Sequence, residues 1–540
     1  MSTNYTDAKN YGKQFFSGVA ILAISTFIVK IIGLFYKIPM MIYLGAEGMG
    51  YFNSAYDIYS LFFVIATTGI PVAISILVSE NKAQGRINNI KKIYKISLVV
   101  LGTLGFIGTF ALLIFHSKMA ELIRNDLAAS SILAISPTLF LICISSAIRG
   151  YFQGNQMMLP TAISQVIEAV GKLLLGLGFA IIAINKGYSV PKVASYATLG
   201  LTLSIALSLL FLILFKLFYR IRNAHKYLTS TDSNISITKQ LLKIAIPITL
   251  SSTILSLTKI IDMTMILRRL NDIGYTQEQA NSVYGAYSTM AVSIYNLPTT
   301  LVSAIALPLV PMLAASIETK DRVKEKSVMS SSLKLTALIG FPAGLGISVF
   351  SKPILSLLFS TQEREIEYVA PLLSLLGLSI FLASMITINN AILQAYQLVN
   401  KPIISMIAGT VVKVITSYLL IGNERINIYG APISTFFSVV VIVSLNLYFI
   451  IKRTGKFESV HHIFIKPFIA SMISIICGLG IYIILHSFVS TTILILSTIL
   501  LVGIIYILTV LKLKVIDETE ISMLPQGNSL LKILKKSKLI

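Results

Sequence analysis

Apolar runs long enough to cross a lipid bilayer follow one another along almost the whole chain. A transmembrane helix needs about 20 mostly apolar residues to cross a hydrocarbon layer of roughly 30 Å. With 55% hydrophobic and 12% charged residues and a mean hydropathy of +0.83, the chain has too few charges for a soluble globule. We therefore expect an all-α membrane protein with about 14 transmembrane helices, at residues 15–43, 52–79, 94–116, 127–148, 157–183, 193–215, 241–267, 281–316, 331–351, 368–395, 402–421, 428–451, 467–486 and 491–511.

The basic residues predict the orientation of these helices. If the N-terminus is cytoplasmic, 30 Lys and Arg residues, Arg149 among them, fall in cytoplasmic segments and 9 in outer ones. Because cytoplasmic loops carry an excess of Lys and Arg, we expect a multi-pass plasma-membrane protein with both termini in the cytoplasm. The net charge of +22 is then a consequence of topology and requires no nucleic acid. The first apolar run is too long for a cleaved signal peptide, so it should remain as the first helix.

An internal repeat divides the chain into two lobes. Residues 25–33 align with residues 254–262, which pairs Lys30 with Lys259, and Lys172 is later echoed by Lys413. Each repeat holds six helices, so the lobes should be parallel repeats about an axis normal to the membrane. The predicted organisation is an N-terminal six-helix lobe at 1–218, a cytoplasmic linker at 219–240, a C-terminal six-helix lobe at 241–455, two extra transmembrane helices in 456–513 and a basic cytoplasmic tail at 514–540.

Charged residues inside the apolar runs are the candidate functional residues. A charge at the bilayer centre costs a few kcal/mol, so it faces a cavity or a partner rather than lipid. The cations are Lys30, Lys37, Lys172, Lys259 and Lys413, and the acids are Asp57, Glu168 and Asp262.

Lys30 and Lys37 are two turns apart and point the same way, as needed to hold the two negative charges of a pyrophosphate. Structural roles are the alternative: Lys37 can snorkel to the interface, and Glu168 can pair with Lys172 four residues later. Asp57 has no such local partner.

The sequence shows no sign of catalysis. It lacks the P-loop motif for ATP hydrolysis, and its five histidines lack the spacing of metal ligands. Cys143 and Cys477 both fall in apolar helices, so a disulfide framework is not expected. We therefore expect a protein that is not an enzyme and that uses no cofactor or metal.

Several motifs resemble the stage V sporulation protein B branch of the polysaccharide exporters. They are residues 30–39 (KIIGLFYKIP), 44–48 (LGAEG), 55–59 (AYDIY), 246–249 (IPIT), 268–270 (RRL) and 296–299 (NLPT). That branch is similar to the lipid II flippases of the multidrug, oligosaccharidyl-lipid and polysaccharide exporter superfamily. In those proteins a cationic cavity between two lobes takes the pyrophosphate-sugar headgroup, and the last helices line a groove for the polyprenyl tail.

The resemblance implies that Lys30 and Lys37 occupy positions where relatives commonly have arginine, and it adds Arg268 to the candidate ligands. The expected function is a flippase for an undecaprenyl-pyrophosphate-linked glycan precursor of the lipid II type. The alternatives are a cation-coupled multidrug antiporter of the same superfamily and a non-transporting scaffold for cell-wall or spore assembly. The expected partners are the lipid-linked pyrophosphate glycan, the lipid bilayer and cell-wall synthesis enzymes, and we expect a monomer.

Overall fold

The computed structural model describes residues 3–218, 232–455, 460–485 and 491–516, and its regular structure in these ranges is helical throughout. The helices group into two compact units, Met1–Thr289 with Ile421–Ile428, and Met290–Leu420 with Tyr429–Ile540. The predicted all-α fold is confirmed. The lobe boundaries stay a prediction. Most of the linker (219–231), His486 and the tail from residue 517 onward lie outside the described residues.

The first unit carries the helices that bear most of the candidate residues. Its helices are α1 (Thr3–Thr67), α2 (Gly69–Ala83), α3 (Ile87–Leu122), α4 (Ala129–Ile135), α5 (Thr138–Gly154), α6 (Leu159–Gly171), α7 (Leu177–Asn185), α8 (Val190–Phe218), α9 (Asn234–Asp272) and α10 (Gln277–Ala286). A short 3₁₀ turn, Asp126–Ala128, precedes α4, and π-helical turns at Lys172–Gly176 and Tyr287–Ala291 follow α6 and α10.

The second unit is built around a long central helix. Its helices are α11 (Val292–Glu318), α12 (Arg322–Val349), α13 (Ser351–Leu358), α14 (Glu363–Ala395), α15 (Asn400–Ile421), α16 (Gly430–Thr454), α17 (Lys466–Leu485) and α18 (Thr491–Lys512). Helix α14 packs against α11, α12 and α16, and Leu333, Ile388 and Ile392 are fully buried between them. Helix α17 packs against α12 and α18, so the two extra helices belong to this unit.

A glycine divides α1 into two helical segments. Gly45 has φ +67° and ψ 179°, a conformation that is accessible to glycine and costly for residues with a Cβ atom. The chain therefore changes direction between the predicted spans 15–43 and 52–79. A second break follows at Thr68, three residues before Pro71, where α1 ends and α2 begins.

Twelve helical stretches in the described part of the chain are long and apolar enough to cross a membrane. The predicted spans 15–43 and 52–79 fall together in one of them, Ile24–Ala83, and the predicted span 281–316 contributes only the shorter apolar helix Leu309–Glu318. The protein is therefore a multi-pass membrane protein, and the exact number of 14 stays a prediction.

Close packing places α5 beside α2. A Cβ atom added at Gly150 would lie 2.9 Å from the Pro71 carbonyl oxygen, and one added at Gly154 would lie 2.6 Å from Val78 Cβ. Such distances leave no room for side chains, so the glycines let the two helices touch. This contact fixes the helix that carries Arg149 within the first unit.

Candidate anion-binding site

Four of the five predicted lysines come together in the first unit. Lys30 lies close enough to Lys259 and Lys172 to interact with their charges, and Lys37 interacts in the same way with Lys30 and Lys259. The repeat-related pair Lys30 and Lys259 thus occupies one neighbourhood, on α1 and α9. Both side chains are exposed, and Lys37 is half-buried. The lysines are therefore close together and accessible, as an anion site requires.

Asp57 lies on the second segment of α1, beside this group. Its carboxylate accepts a hydrogen bond from the Tyr284 hydroxyl of α10, and it lies within electrostatic reach of Lys37, Lys259 and Asp262. Asp57 has no partner one helical turn away, and its partners are residues distant in sequence. Asp57 partly offsets the positive charge of the lysines while remaining tied to α10.

Glu168 lies at the centre of a buried charged trio. Lys172 Nζ donates to Glu168 Oε1 at 2.8 Å, and Arg149 Nη2 donates to Glu168 Oε2 at 3.1 Å. The Glu168–Lys172 pair is therefore observed, as the spacing of four residues predicted. A carboxylate with 8% side-chain exposure is stable here because two cations and their hydrogen bonds compensate its charge.

Arg149 is a site residue that the sequence pattern did not predict, because it falls in a segment assigned to the cytoplasm. The structure places this residue in α5 with a side-chain exposure of 7%. Arg149 also donates to Ser164 Oγ at 3.0 Å and to Ser208 Oγ at 3.1 Å. The sequence does contain a signal for this placement. The turn residues Gly154 and Asn155, which end α5, come after Arg149, so the helix continues through Arg149.

A π-helical turn begins at Lys172. Such turns insert one extra residue into a helix and are frequent at functional sites. A Cβ atom added at Gly176, the last residue of the turn, would lie 2.6 Å from the Tyr36 hydroxyl oxygen. The turn therefore packs against the part of α1 between Lys30 and Lys37, which brings Lys172 to the lysine group.

The remaining two predicted residues are Lys413 and Arg268. Lys413 lies on α15 in the second unit, where it is buried with 7% exposure. Arg268, near the end of α9, is exposed, and its guanidinium donates through Nε to the Leu122 carbonyl oxygen at 3.1 Å. Leu122 is the last residue of α3, so Arg268 satisfies a carbonyl group that the helix itself leaves unpaired.

Cations outnumber acids among these residues of the first unit. Lys30, Lys37, Lys172, Lys259 and Arg149 face Asp57, Glu168 and Asp262, a formal excess of two positive charges. The described residues contain no group of three or more His, Cys, Asp or Glu side chains that could hold a metal ion. The arrangement therefore suits an anion with more than one negative charge.

Comparisons with known proteins agree with this architecture. Residues 15–317 match the family model described as a polysaccharide biosynthesis protein, and residues 281–419 match the MatE family model. Stage V sporulation protein B of Bacillus subtilis (strain 168) is 26% identical over 440 residues, which are 80% of this chain and 83% of that protein. The lipid II flippase MurJ of the same strain is 26% identical over 422 residues, 75% of this chain and 77% of that protein.

A solved structure shows the same fold. The lipid II flippase MurJ in its inward closed conformation matches with a TM-score of 0.69 and 16% sequence identity, over 91% of this chain and 98% of that one. The fold is that of solved membrane transporters. The family model covers more than half of the chain, and the chain thus belongs to the polysaccharide biosynthesis protein family.

Proposed function

We propose that the protein is a flippase that moves an undecaprenyl-pyrophosphate-linked glycan precursor of the lipid II type from the inner to the outer leaflet of the plasma membrane by alternating access. The observation that carries this proposal is the lysine group of the first unit, in which Lys30, Lys37 and Lys259 lie close together on α1 and α9. Like charges repel one another in a membrane, and Asp57 and Asp262 offset only part of this repulsion, so a bound anion would favour the proximity of the lysines.

The relatives support a lipid-linked cargo. Two of them carry the names stage V sporulation protein B and lipid II flippase MurJ. The two helices beyond the repeat, α17 and α18, present many exposed apolar side chains, among them Ile476, Ile483 and Leu500. We assign the polyprenyl tail to these helices, because burial of each methylene group contributes about 0.8 kcal/mol.

A cation-coupled multidrug antiporter is the second candidate, since residues 281–419 match the MatE model. Asp57, Asp262 and Glu168 would then serve as the coupling acids. The excess of cations favours the flippase, because a cavity built for cationic drugs is expected to present uncompensated acids. The two candidates differ in the sign of the charge that they bind.

Substitution of Lys30 and Lys37 by glutamine tests the proposal. We expect the double variant to lose complementation of a strain that lacks its lipid II flippase. Its affinity for undecaprenyl pyrophosphate should fall by about 100-fold or more, because hydrogen bonds to charged groups contribute about 1.5–3 kcal/mol each. Binding is measured by titration of the purified protein, and complementation by growth and by chemical analysis of the precursor that accumulates.

Two controls accompany this experiment. Arginine at both positions should retain activity, because it keeps the charge. Glutamine at Lys91 and Lys95, two exposed lysines of α3 outside the site, should leave binding and growth unchanged. Wild-type activity of the Lys30 and Lys37 double variant, at normal abundance in the membrane, would contradict the proposal.

A further inference from the structure

The two cations bound to Glu168 are held very differently. Arg149 donates to Glu168, Ser164 and Ser208, so its guanidinium is fixed by partners on α6 and α8. Among the described residues, Lys172 Nζ has one hydrogen bond, which it donates to Glu168 Oε1. The Lys172 side chain is also more exposed, at 19% compared with 7% for Arg149. Of the two cations, Lys172 is the one that can leave.

The charge balance of the trio permits this departure. Arg149, Glu168 and Lys172 together carry a formal charge of +1, and Arg149 with Glu168 is neutral. Removing the only partner of a buried carboxylate is strongly unfavourable. Because Arg149 binds the other carboxylate oxygen, movement of Lys172 leaves a neutral, hydrogen-bonded pair and not an isolated buried charge.

Lys172 lies near the lysine group. It interacts electrostatically with Lys30 and begins the π-helical turn that packs against Tyr36 of α1. The Tyr36 hydroxyl is buried and has no hydrogen-bond partner among the described residues. A bound diphosphate would offer Lys172 two or more acceptor oxygens and would relieve its repulsion from Lys30.

We propose that Lys172 is a detachable phosphate ligand, which Glu168 holds in the empty site and which transfers to a diphosphate when the cargo binds. Glu168 thereby competes with the cargo for this lysine. Arg149 acts as a positioning residue, because it keeps Glu168 neutralised when Lys172 leaves. This inference rests on the proposed flippase function and adds to it a mechanism for admitting and releasing the diphosphate.

The experiment is a set of titrations of the full-length protein in lipid nanodiscs with inorganic pyrophosphate. Lys172→Gln should weaken binding by about tenfold or more, the worth of one hydrogen bond between charged groups. Glu168→Gln should strengthen binding by about three- to tenfold, because the competing carboxylate charge is gone.

Combining the two substitutions separates competition for Lys172 from the simple removal of a negative charge. In the Lys172→Gln protein, Glu168→Gln should add no more than about a twofold gain, because no lysine remains to be released. An equal gain with and without Lys172 would overturn the inference. An unchanged or reduced affinity of a folded Glu168→Gln protein would do the same.

Substitution of Arg149 tests the positioning role. Arg149→Leu should weaken pyrophosphate binding although Lys172 is intact, because Glu168 then depends on Lys172 alone. Arg149→Lys should restore part of the affinity. If Arg149→Leu does not fold, as judged by its melting temperature, Arg149→Leu with Glu168→Leu removes both buried charges and should bind pyrophosphate at least as well as wild type. Binding by the folded double variant as weak as that of Lys172→Gln would contradict the inference.

Lys30→Gln distinguishes this inference from the proposed function. If Lys30→Gln loses pyrophosphate binding while the Glu168 and Lys172 effects are additive, the inference fails and the anion site survives. If the wild-type protein does not bind pyrophosphate, both the anion site and the detachable ligand are refuted.

Discussion

At the scale of single residues, Asp57 shows how a charge in a membrane helix finds its partner. No residue one turn away along α1 offers it a compensating charge, and its hydrogen bond comes from Tyr284, 227 residues further along the chain. The carboxylate also lies near Lys37 and Lys259. It therefore ties α1 to α10 and reduces the net positive charge at the lysine group.

We expect Asp57→Asn to strengthen pyrophosphate binding by about two- to fivefold at low salt, because it removes one negative charge near the lysines while an amide can still accept from Tyr284. The gain should shrink as ionic strength rises, because salt screens partly exposed charges. Titrations at two salt concentrations measure it. Tyr284→Phe, which keeps the carboxylate, should show no gain. Loss of all transport in a folded Asp57→Asn protein would instead favour the cation-coupled antiporter.

At the scale of helices, glycines determine how closely α1 and α10 pack. A Cβ atom added at Gly285 would lie 2.0 Å from the Ala46 carbonyl oxygen and 2.5 Å from the Gly50 amide nitrogen. These neighbours are backbone atoms, which cannot move aside as a flexible side chain can. Close approach lets Asn281 Nδ2 donate to the Glu47 carbonyl oxygen at 2.7 Å beside the Gly45 bend.

Gly285→Ala should therefore destabilise the protein by roughly 1–3 kcal/mol, because overpacking forces the two helices apart. The melting temperature in detergent measures the effect, together with the abundance of the protein in membranes. Gly178→Ala is the matched control, because nothing lies within 4 Å of its Cβ position on α7. That substitution should be neutral or slightly stabilising. Equal melting temperatures for Gly285→Ala and wild type would contradict the packing argument.

At the scale of the whole molecule, the excess of basic residues in alternate loops predicts which side of the membrane each loop faces. Arg149 lies inside α5, which belongs to a candidate membrane span, so one of the 30 residues counted as cytoplasmic moves into a helix. The excess over 9 outer residues is hardly changed. The predicted orientation of the loops keeps its physical basis.

Single cysteines at Gln84 and Thr319 should react with a membrane-impermeant maleimide only from the cytoplasm. Those at Thr276 and Thr361 should react only from outside. All four positions are exposed, two in each unit. The background must first lose Cys143 and Cys477, which are both free thiols. Mass spectrometry of intact cells and inverted vesicles reads the labelling, and a site that reacts from the opposite side would refute the topology.

The sequence by itself determined the all-α membrane class, the approximate positions of the helices and the identity of the lysines that meet on α1 and α9. Whether a segment spans the membrane as a helix depends on about 20 consecutive residues, so membrane spans can be predicted from short stretches of sequence. The Glu168–Lys172 pair could also be predicted from the sequence, because residues four apart share a helix face.

Only the tertiary structure decided which distant side chains join the candidate site. Arg149 and Tyr284 bind their carboxylate partners across helix contacts that no short-range pattern encodes. The sequence pattern likewise did not predict that Arg268 binds the carbonyl end of α3 or that Lys413 is buried in the second unit. These outcomes depend on how closely the helices pack, which glycines such as Gly150, Gly154 and Gly285 set through steric contacts between segments far apart in the chain.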